Sequence, residues 1–168
     1  LSKMVKTLLD MSELQTIGRD ETIAVDALVD EVMVDLEPLA QEKEIKLIGN
    51  CKDTTMVGSD ILIYRMVYNL VENAIKYNHF GGQVTITAYR NGKNICLSVE
   101  DTGSGIPAEL KERIFEPFFR VDKSRSRQLG GVGLGLALVR EIVRVHDGRI
   151  TVQSSPSGGT IFEIVFTQ

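Results

Sequence analysis

Apolar side chains along this chain recur in two rhythms, one of threes and fours and one of twos, and the changes between them mark out the elements. Leu1, Met4, Val5, Leu8, Met11 and Leu14 follow the helical rhythm, and Gly18 ends it. A helix of that length is marginal by itself in water. It reads either as the tail of a helical bundle whose remainder lies outside this sequence or as a terminal helix packed on its own domain. Glu21 to Val25 reads as a short strand, and Asp26 is placed to cap a helix running to about Lys43, bent at Pro38. Ile45 to Ile48 and Thr54 to Val57 are strand candidates, followed by a long helix from about Asp60 to Tyr77. Val84, Ile86 and Ala88 alternate with threonines up to Asn91-Gly92, and Ile95, Leu97 and Val99 alternate after it, the pattern of an antiparallel hairpin. Residues 102 to 131 hold several glycines, Pro107, Pro117 and the charged run Arg120 to Arg127, so they read as loop with one short helix. A loop of that length inside a compact domain is usually functional or disordered. A helix from about Val132 to Val145 and strands Arg149 to Gln153 and Thr160 to Phe166, joined by a Ser157-Gly158-Gly159 turn, complete the chain. Strands and helices come in blocks that do not alternate strictly, which predicts an α+β fold: a two-layer sandwich of a mixed, mostly antiparallel sheet with three helices on one face.

Composition narrows the function classes. The 168 residues are 43% hydrophobic and 25% charged, enough to bury one domain's core, and the formal net charge of −4 comes with no concentrated basic stripe. Nucleic acid is therefore not expected as a partner. No apolar run approaches the roughly 20 residues needed to cross a bilayer. The chain opens at Leu1 in the middle of a helical pattern, which leads us to expect a piece of a longer protein. Cys51 and Cys96 have no metal-like spacing and read as two core thiols.

Three short segments carry candidate chemistry. On the helix around residue 70, positions four apart differ by about 40° and positions three apart by about 60°, so Asn69, Glu72, Asn73, Lys76 and Tyr77 share one stripe opposite Ile63, Val67, Leu70, Val71 and Ala74. Asparagine is a poor helix former, and two of them in mid-helix point to a use outside the helix unless the stripe is simply a polar face. Amide oxygens suit a hard cation such as Mg²⁺, and Lys76 offers a point charge to phosphate. Directly after an apolar strand stands Asp101-Thr102-Gly103-Ser104-Gly105. It reads either as a tight turn or as a carboxylate that accepts from an exocyclic amine, with glycines that let a planar ring approach. The third segment, Gly130-Gly131-Val132-Gly133-Leu134-Gly135-Leu136, opens a helix. Each glycine costs that helix about 1 kcal/mol, which asks for a reason, either phosphate on the free amides or close packing. The spacing is neither G-x-x-x-x-G-K-[ST] nor G-x-G-x-x-G, so neither of the two commonest phosphate loops is present.

Taken together, these segments resemble the ATP-binding catalytic domain of sensor histidine kinases, a branch of the superfamily that also contains gyrase and MutL. The resemblance covers roughly residues 22 to 168. Asn69-Leu-Val-Glu-Asn73-Ala-Ile-Lys76-Tyr77 is similar to the family's N box, Asp101-Thr-Gly-Ser-Gly105 to its G1 box, and Phe115-Glu-Pro-Phe-Phe119 to its F box. Gly131-Val-Gly-Leu-Gly-Leu136 is similar to the G2 box and Gly158-Gly-Thr160 to the last glycine box. The resemblance implies that Asn73, with Asn69, holds Mg²⁺ against the phosphates of ATP, that Lys76 meets phosphate, and that Tyr77 stacks on adenine. Asp101 would accept from the adenine amino group, with Gly103, Gly105 and Ile106 around the ring and Thr160 nearby through water. Gly131, Val132, Gly133, Leu134, Gly135 and Leu136 would line the phosphate side. Residues 104 to 131 would form a lid, from which Arg120, Lys123, Arg125 and Arg127 are candidate phosphate partners. Residues 1 to 19 would end the dimerisation and phosphoacceptor bundle, with 20 to 168 as the catalytic domain.

In that family the γ-phosphoryl passes to a histidine on an upstream helix. The histidines here are His79, in a turn, and His146, at a helix end, and neither stands in such a context, so both are expected to be structural or exposed. The chain is thus expected to bind and present Mg-ATP to a bundle outside this sequence, in a homodimer that serves a response regulator. It would sit on the cytoplasmic side of a sensor whose membrane attachment lies outside this sequence. Two other readings compete: a stand-alone ATPase or serine kinase of the same superfamily, and a non-catalytic nucleotide-binding interaction module. Asn69 stands where the ATPases carry a catalytic Glu, which counts against the first.

Overall fold

The computed structural model describes residues 11–117, 119–120 and 135–168. The positions Leu1 to Leu8, Phe118, Lys123, Arg125, Arg127 and Gly130 to Leu134 named above lie outside the described residues.

The elements are β1 (Glu21–Ala24), α1 (Val25–Glu42), β2 (Lys46–Cys51), β3 (Thr55–Gly58), α2 (Asp60–Lys76), β4 (Gln83–Asn91), β5 (Asn94–Asp101), α3 (Gly135–Val145), β6 (Gly148–Ser154) and β7 (Thr160–Thr167). Five strands form one sheet in the order β2-β4-β5-β7-β6, parallel between β2 and β4 and antiparallel elsewhere. The expected mixed sheet under three helices is what the chain forms. A separate two-stranded ribbon pairs β1 with β3, Glu21 opposite Gly58 and Ala24 opposite Thr55, which period-two reading of two short segments did not foresee.

Alternation decides which face the helices cover. Val84, Ile86 and Ala88 of β4, Ile95, Leu97 and Val99 of β5, and Phe162, Ile164 and Phe166 of β7 are buried, whereas Thr85, Thr87, Ser98 and Glu163 between them are more exposed. Against that face α2 lays Ile63, Met66, Val67, Leu70, Val71 and Ala74, with α1 and α3 packed on either side of it. The stripe opposite the candidate polar residues of α2 is therefore the buried one, as the helical spacing predicts.

Two segments differ from expectation. Helix α1 begins at Val25 with Ala24 at the capping position and no side-chain bond there, so Asp26 sits inside the first turn, where its charge favours the helix dipole. The helix runs through Pro38 to Glu42. Residues 108–110 and 113–115 form two short 3₁₀ turns where one short helix was expected, and Ile114 and Phe115 of the second are buried in the core. Leu14, in a 3₁₀ turn at Leu14–Thr16, is 1% exposed and joins the core beside α3.

Candidate functional site

Helix α2 starts at Ser59, whose hydroxyl accepts from the amide of Leu62 at 3.4 Å, and ends as the backbone N–H of Tyr77 reaches Asn73 and Ile75. That length carries the polar stripe up to the end of the sheet where β5 finishes. Asn69, Asn73, Lys76 and Tyr77 are all half-buried on it. The side-chain nitrogen of Asn69 donates to the carbonyl of Arg65 at 2.8 Å. Its oxygen is left toward Gly135 at the start of α3, where a Cβ would sit 3.5 Å away. The ammonium of Lys76 lies 3.7 Å from Glu72.

Strand β5 delivers Asp101 to the same end, only 9% exposed. Its Oδ1 accepts from the backbone amides of Gly103 at 2.8 Å and Thr160 at 3.3 Å. Among the described residues nothing donates to Oδ2, which leaves that oxygen for a donor from outside. Burial raises the Asp101 pKa above its ordinary 3.8, and the two amides oppose the rise.

The loop after Asp101 is held by contacts too close for side chains. Gly105 has φ +75°, and a Cβ there would lie 2.6 Å from the carbonyl oxygen of Gly158. At Gly159 a Cβ would come within 2.0 Å of the carbonyl oxygen of Asp101. Gly103 lies over the end of α2, its absent Cβ 2.6 Å from the carbonyl oxygen of Tyr77. Ile106 is half-buried against the core and Thr160 is buried.

The structure thus brings Tyr77, Asp101, Gly103 and Thr160 into one group of direct neighbours, with Gly105 against Gly158, and Asn69 against Gly135 in a second group, the two joined by the stripe of α2 that also carries Asn73 and Lys76. Leu136 is half-buried at the start of α3, and Arg120 is half-buried after the second 3₁₀ turn. Lys123, Gly131, Val132, Gly133 and Leu134 lie outside the described residues. In the F-box segment, Phe115 packs edge-on to Phe162 at 6.2 Å, and the Arg113 guanidinium stands 4.6 Å over the ring of Phe119.

Sequence reasoning missed Asn78, which is 1% exposed. Its side chain accepts from the amide of His79 at 2.8 Å and from the hydroxyl of Thr102 at 3.1 Å, and donates to the carbonyl of Gln83 at 3.0 Å. It also missed Lys43, whose partners lie more than 30 residues away. An asparagine closing a helix before a glycine turn was a faint signal for the first; nothing local could have signalled the second. His79 is exposed, and His146 is buried, accepting from the amide of Ser59 at 2.9 Å through Nε2 while Nδ1 meets the carbonyl of Ile142 at 2.8 Å.

Comparison with known proteins follows the same line. Residues 58–168 match the family described as "Histidine kinase-, DNA gyrase B-, and HSP90-like ATPase". The sensor-like histidine kinase SenX3 of Mycobacterium tuberculosis is 39% identical over 168 residues, covering 98% of this chain and 41% of that protein. The chain therefore spans less than half the length of this curated relative. Among solved structures, the nucleotide-free catalytic domain of the histidine kinase ThkA superposes with a TM-score of 0.79 at 28% identity, covering 89% of this chain and 96% of that domain. ThkA in complex with the response regulator protein TrrA gives 0.81 at 27% identity, over 98% of this chain and 46% of that one. Full-length ShkA in complex with AMPPNP gives 0.83 at 25% identity, over 97% of this chain and 35% of that one. With a strand-end carboxylate, a helix stripe of amides and glycine contacts gathered at one end of such a sheet, this chain belongs to the histidine kinase, gyrase and HSP90-like ATPase family, and its fold is that of a sensor histidine kinase catalytic domain.

Proposed function

We propose that the chain binds ATP as its magnesium complex and holds it for transfer of the γ-phosphoryl group to a histidine on a helical bundle outside this sequence. The observation that carries this reading is the buried Asp101 carboxylate. Backbone amides from two separate segments hold one of its oxygens, the other is left for an external donor, and the loop beside it is closed by glycines. That is the arrangement an exocyclic amine on a flat ring would use. Tyr77 would stack on the base, with Gly103, Gly105, Ile106 and Thr160 around it, and Lys76 would meet phosphate. The start of α3, with Gly135 and Leu136, would offer free amides to the phosphates, together with Gly131 to Leu134 and the candidate cations Arg120 and Lys123.

The magnesium ion would be held by Asn73 and Asn69 together with the phosphates. The donor set fits: amide oxygens are hard ligands, and the Asn69 nitrogen is tied to Arg65, which turns its oxygen away. Among the described residues no group of three His, Cys, Asp or Glu offers an all-protein site. Bound there, the ion would neutralise phosphate charge, and the chain's own part is positioning, which is most of what phosphoryl transfer asks of a protein.

Residues 1–19 are read as the end of the dimerisation bundle with its linker, and 20–168 as the catalytic domain. The kinase names of the relatives support a protein-histidine kinase, which on this reading would dimerise through the bundle, and ThkA's structure with TrrA supports a response regulator as the next partner. No described helix is long and apolar enough to cross a membrane. The proposed location is the cytoplasmic side of a sensor anchored by other segments.

Calorimetric titration of the chain with AMPPNP, with and without Mg²⁺, tests the reading. Binding that needs Mg²⁺, and that weakens about tenfold in Asn73→Asp, is the expected result. Equal binding with and without the metal, or none at all, would overturn it. Mixed with the histidine-bearing bundle of the intact protein, the chain should label that bundle from γ-labelled ATP.

A further inference from the structure

Helix α2 ends with its last carbonyls pointing at the beginning of the turn 77–82, and a helix end of this kind leaves up to four carbonyls without partners inside the helix. Its partner here comes from another element. The ammonium group of Lys43, at the end of α1, donates to the carbonyls of Ile75 at 3.2 Å, Lys76 at 2.8 Å and Asn78 at 2.9 Å. Three donors on one nitrogen meet three acceptors, and the positive charge lies at the negative end of the α2 dipole. The backbone of Lys43 grips the same turn from the other side, its carbonyl accepting from the amide of Gly81 at 2.8 Å.

What Lys43 grips is connected to the proposed base pocket through the buried Asn78 and the half-buried Thr102. The carbonyl of Asn78 is one of its three acceptors, and the Asn78 side chain is bonded to Thr102, the residue between Asp101 and Gly103. The Thr102 hydroxyl in turn accepts from the amide of Gln83 at 2.9 Å. Gly103 rests on the carbonyl of Tyr77. The distance between Tyr77 and Asp101, which would have to equal the thickness and reach of one bound base, is thus set by a chain of contacts that begins at Lys43.

We propose that Lys43 is a positioning residue of the nucleotide site: through the end of α2, Asn78 and Thr102 it fixes where Tyr77 stands relative to the Asp101 carboxylate. Lys43 would act through these contacts and not by touching the nucleotide. The inference rests on the reading of this pocket as a nucleotide site, and the experiment separates the two. Affinity for ADP with Mg²⁺ is measured by calorimetry for the parent chain, Lys43→Met, Lys43→Arg, Thr102→Val and Asp101→Asn, with the folded fraction followed by circular dichroism. A positioning role predicts about tenfold weaker binding in Lys43→Met at full folding, recovery in Lys43→Arg to within about threefold, and a loss of about threefold in Thr102→Val. A role confined to stability would lower the melting temperature and leave the affinity of the folded protein unchanged. Parent-like affinity in Lys43→Met, beside a loss in Asp101→Asn, overturns the inference and leaves the nucleotide reading standing. If Lys43→Met does not fold, parent-like binding by Thr102→Val overturns it. A parent chain that binds no ADP overturns both.

Discussion

At the residue scale, Asp101 shows how a proposed binding group is held at a cost. A carboxylate pushed above its ordinary pKa prefers its proton in the folded chain, so its effect on stability is most favourable below pH 3.8 and is lost as pH rises through the raised folded value. At neutral pH the buried charge is therefore a burden on the empty protein. Asp101→Asn keeps an oxygen for the amides of Gly103 and Thr160 and removes that charge. It is expected to raise the melting temperature of the nucleotide-free chain at pH 7 while weakening nucleotide binding by about tenfold or more. A lower melting temperature with unchanged binding would contradict both halves. His146 works in the opposite sense. Burial pushes its pKa below 6.5, aided by Arg19 and opposed by the bond to Ile142, and its Nε2 must stay unprotonated to accept from Ser59. A lowered histidine pKa contributes stability that is present above 6.5 and is lost as pH falls toward the folded value. Denaturant midpoints taken from pH 7.5 to 5 should fall over the lower part of that range, and His146→Gln should flatten that fall.

At the scale of elements, the candidate site is assembled where β5 and α2 end and β7 and α3 begin. The junction of β5 and β7 is the tightest part. Gly159→Ala would drive a methyl into the backbone of Asp101, at a cost of about 2 to 3 kcal/mol in stability and with the Thr160 amide displaced from the carboxylate. Urea unfolding with ADP titration on the same sample checks both, and an unchanged midpoint would show that the contact relaxes freely. What could be read from the chain alone follows from the range of the interactions. The polar stripe of α2 and the alternation of β4 and β5 about Asn91-Gly92 depend on spacing within one element or across one tight turn, so letters sufficed. The glycine segments were legible as oddities, and only their agreement in order with a known family gave them roles. The β1–β3 ribbon, the three carbonyls on Lys43 and the bond from Ser59 to His146 join residues more than 30 positions apart. No periodicity encodes such pairings, because either partner alone fits many environments. The start of α1 was misplaced for a different reason: Asp26 is a good capping residue by type, yet the β1 pairing of Ala24 with Thr55 sets the boundary earlier.

At the scale of the whole molecule, the layers divide the labour. Sheet and helices form one apolar core that reaches from Leu14 to Phe166, and the residues with chemistry collect where that core ends. Asn69, Tyr77, the loop from Asp101 to Gly105, the start of α3 and the loop from Gly158 to Thr160 are proposed to make one pocket for one ligand. Titration of the ¹⁵N-labelled chain with ADP and Mg²⁺, followed by amide chemical shifts, tests it most directly. The amides of Gly103, Gly105, Gly159, Thr160 and Gly135 should move together along a single saturating curve, with those of the β1–β3 ribbon unmoved. Shifts confined to one of these segments, saturating at different concentrations, or absent altogether would contradict it.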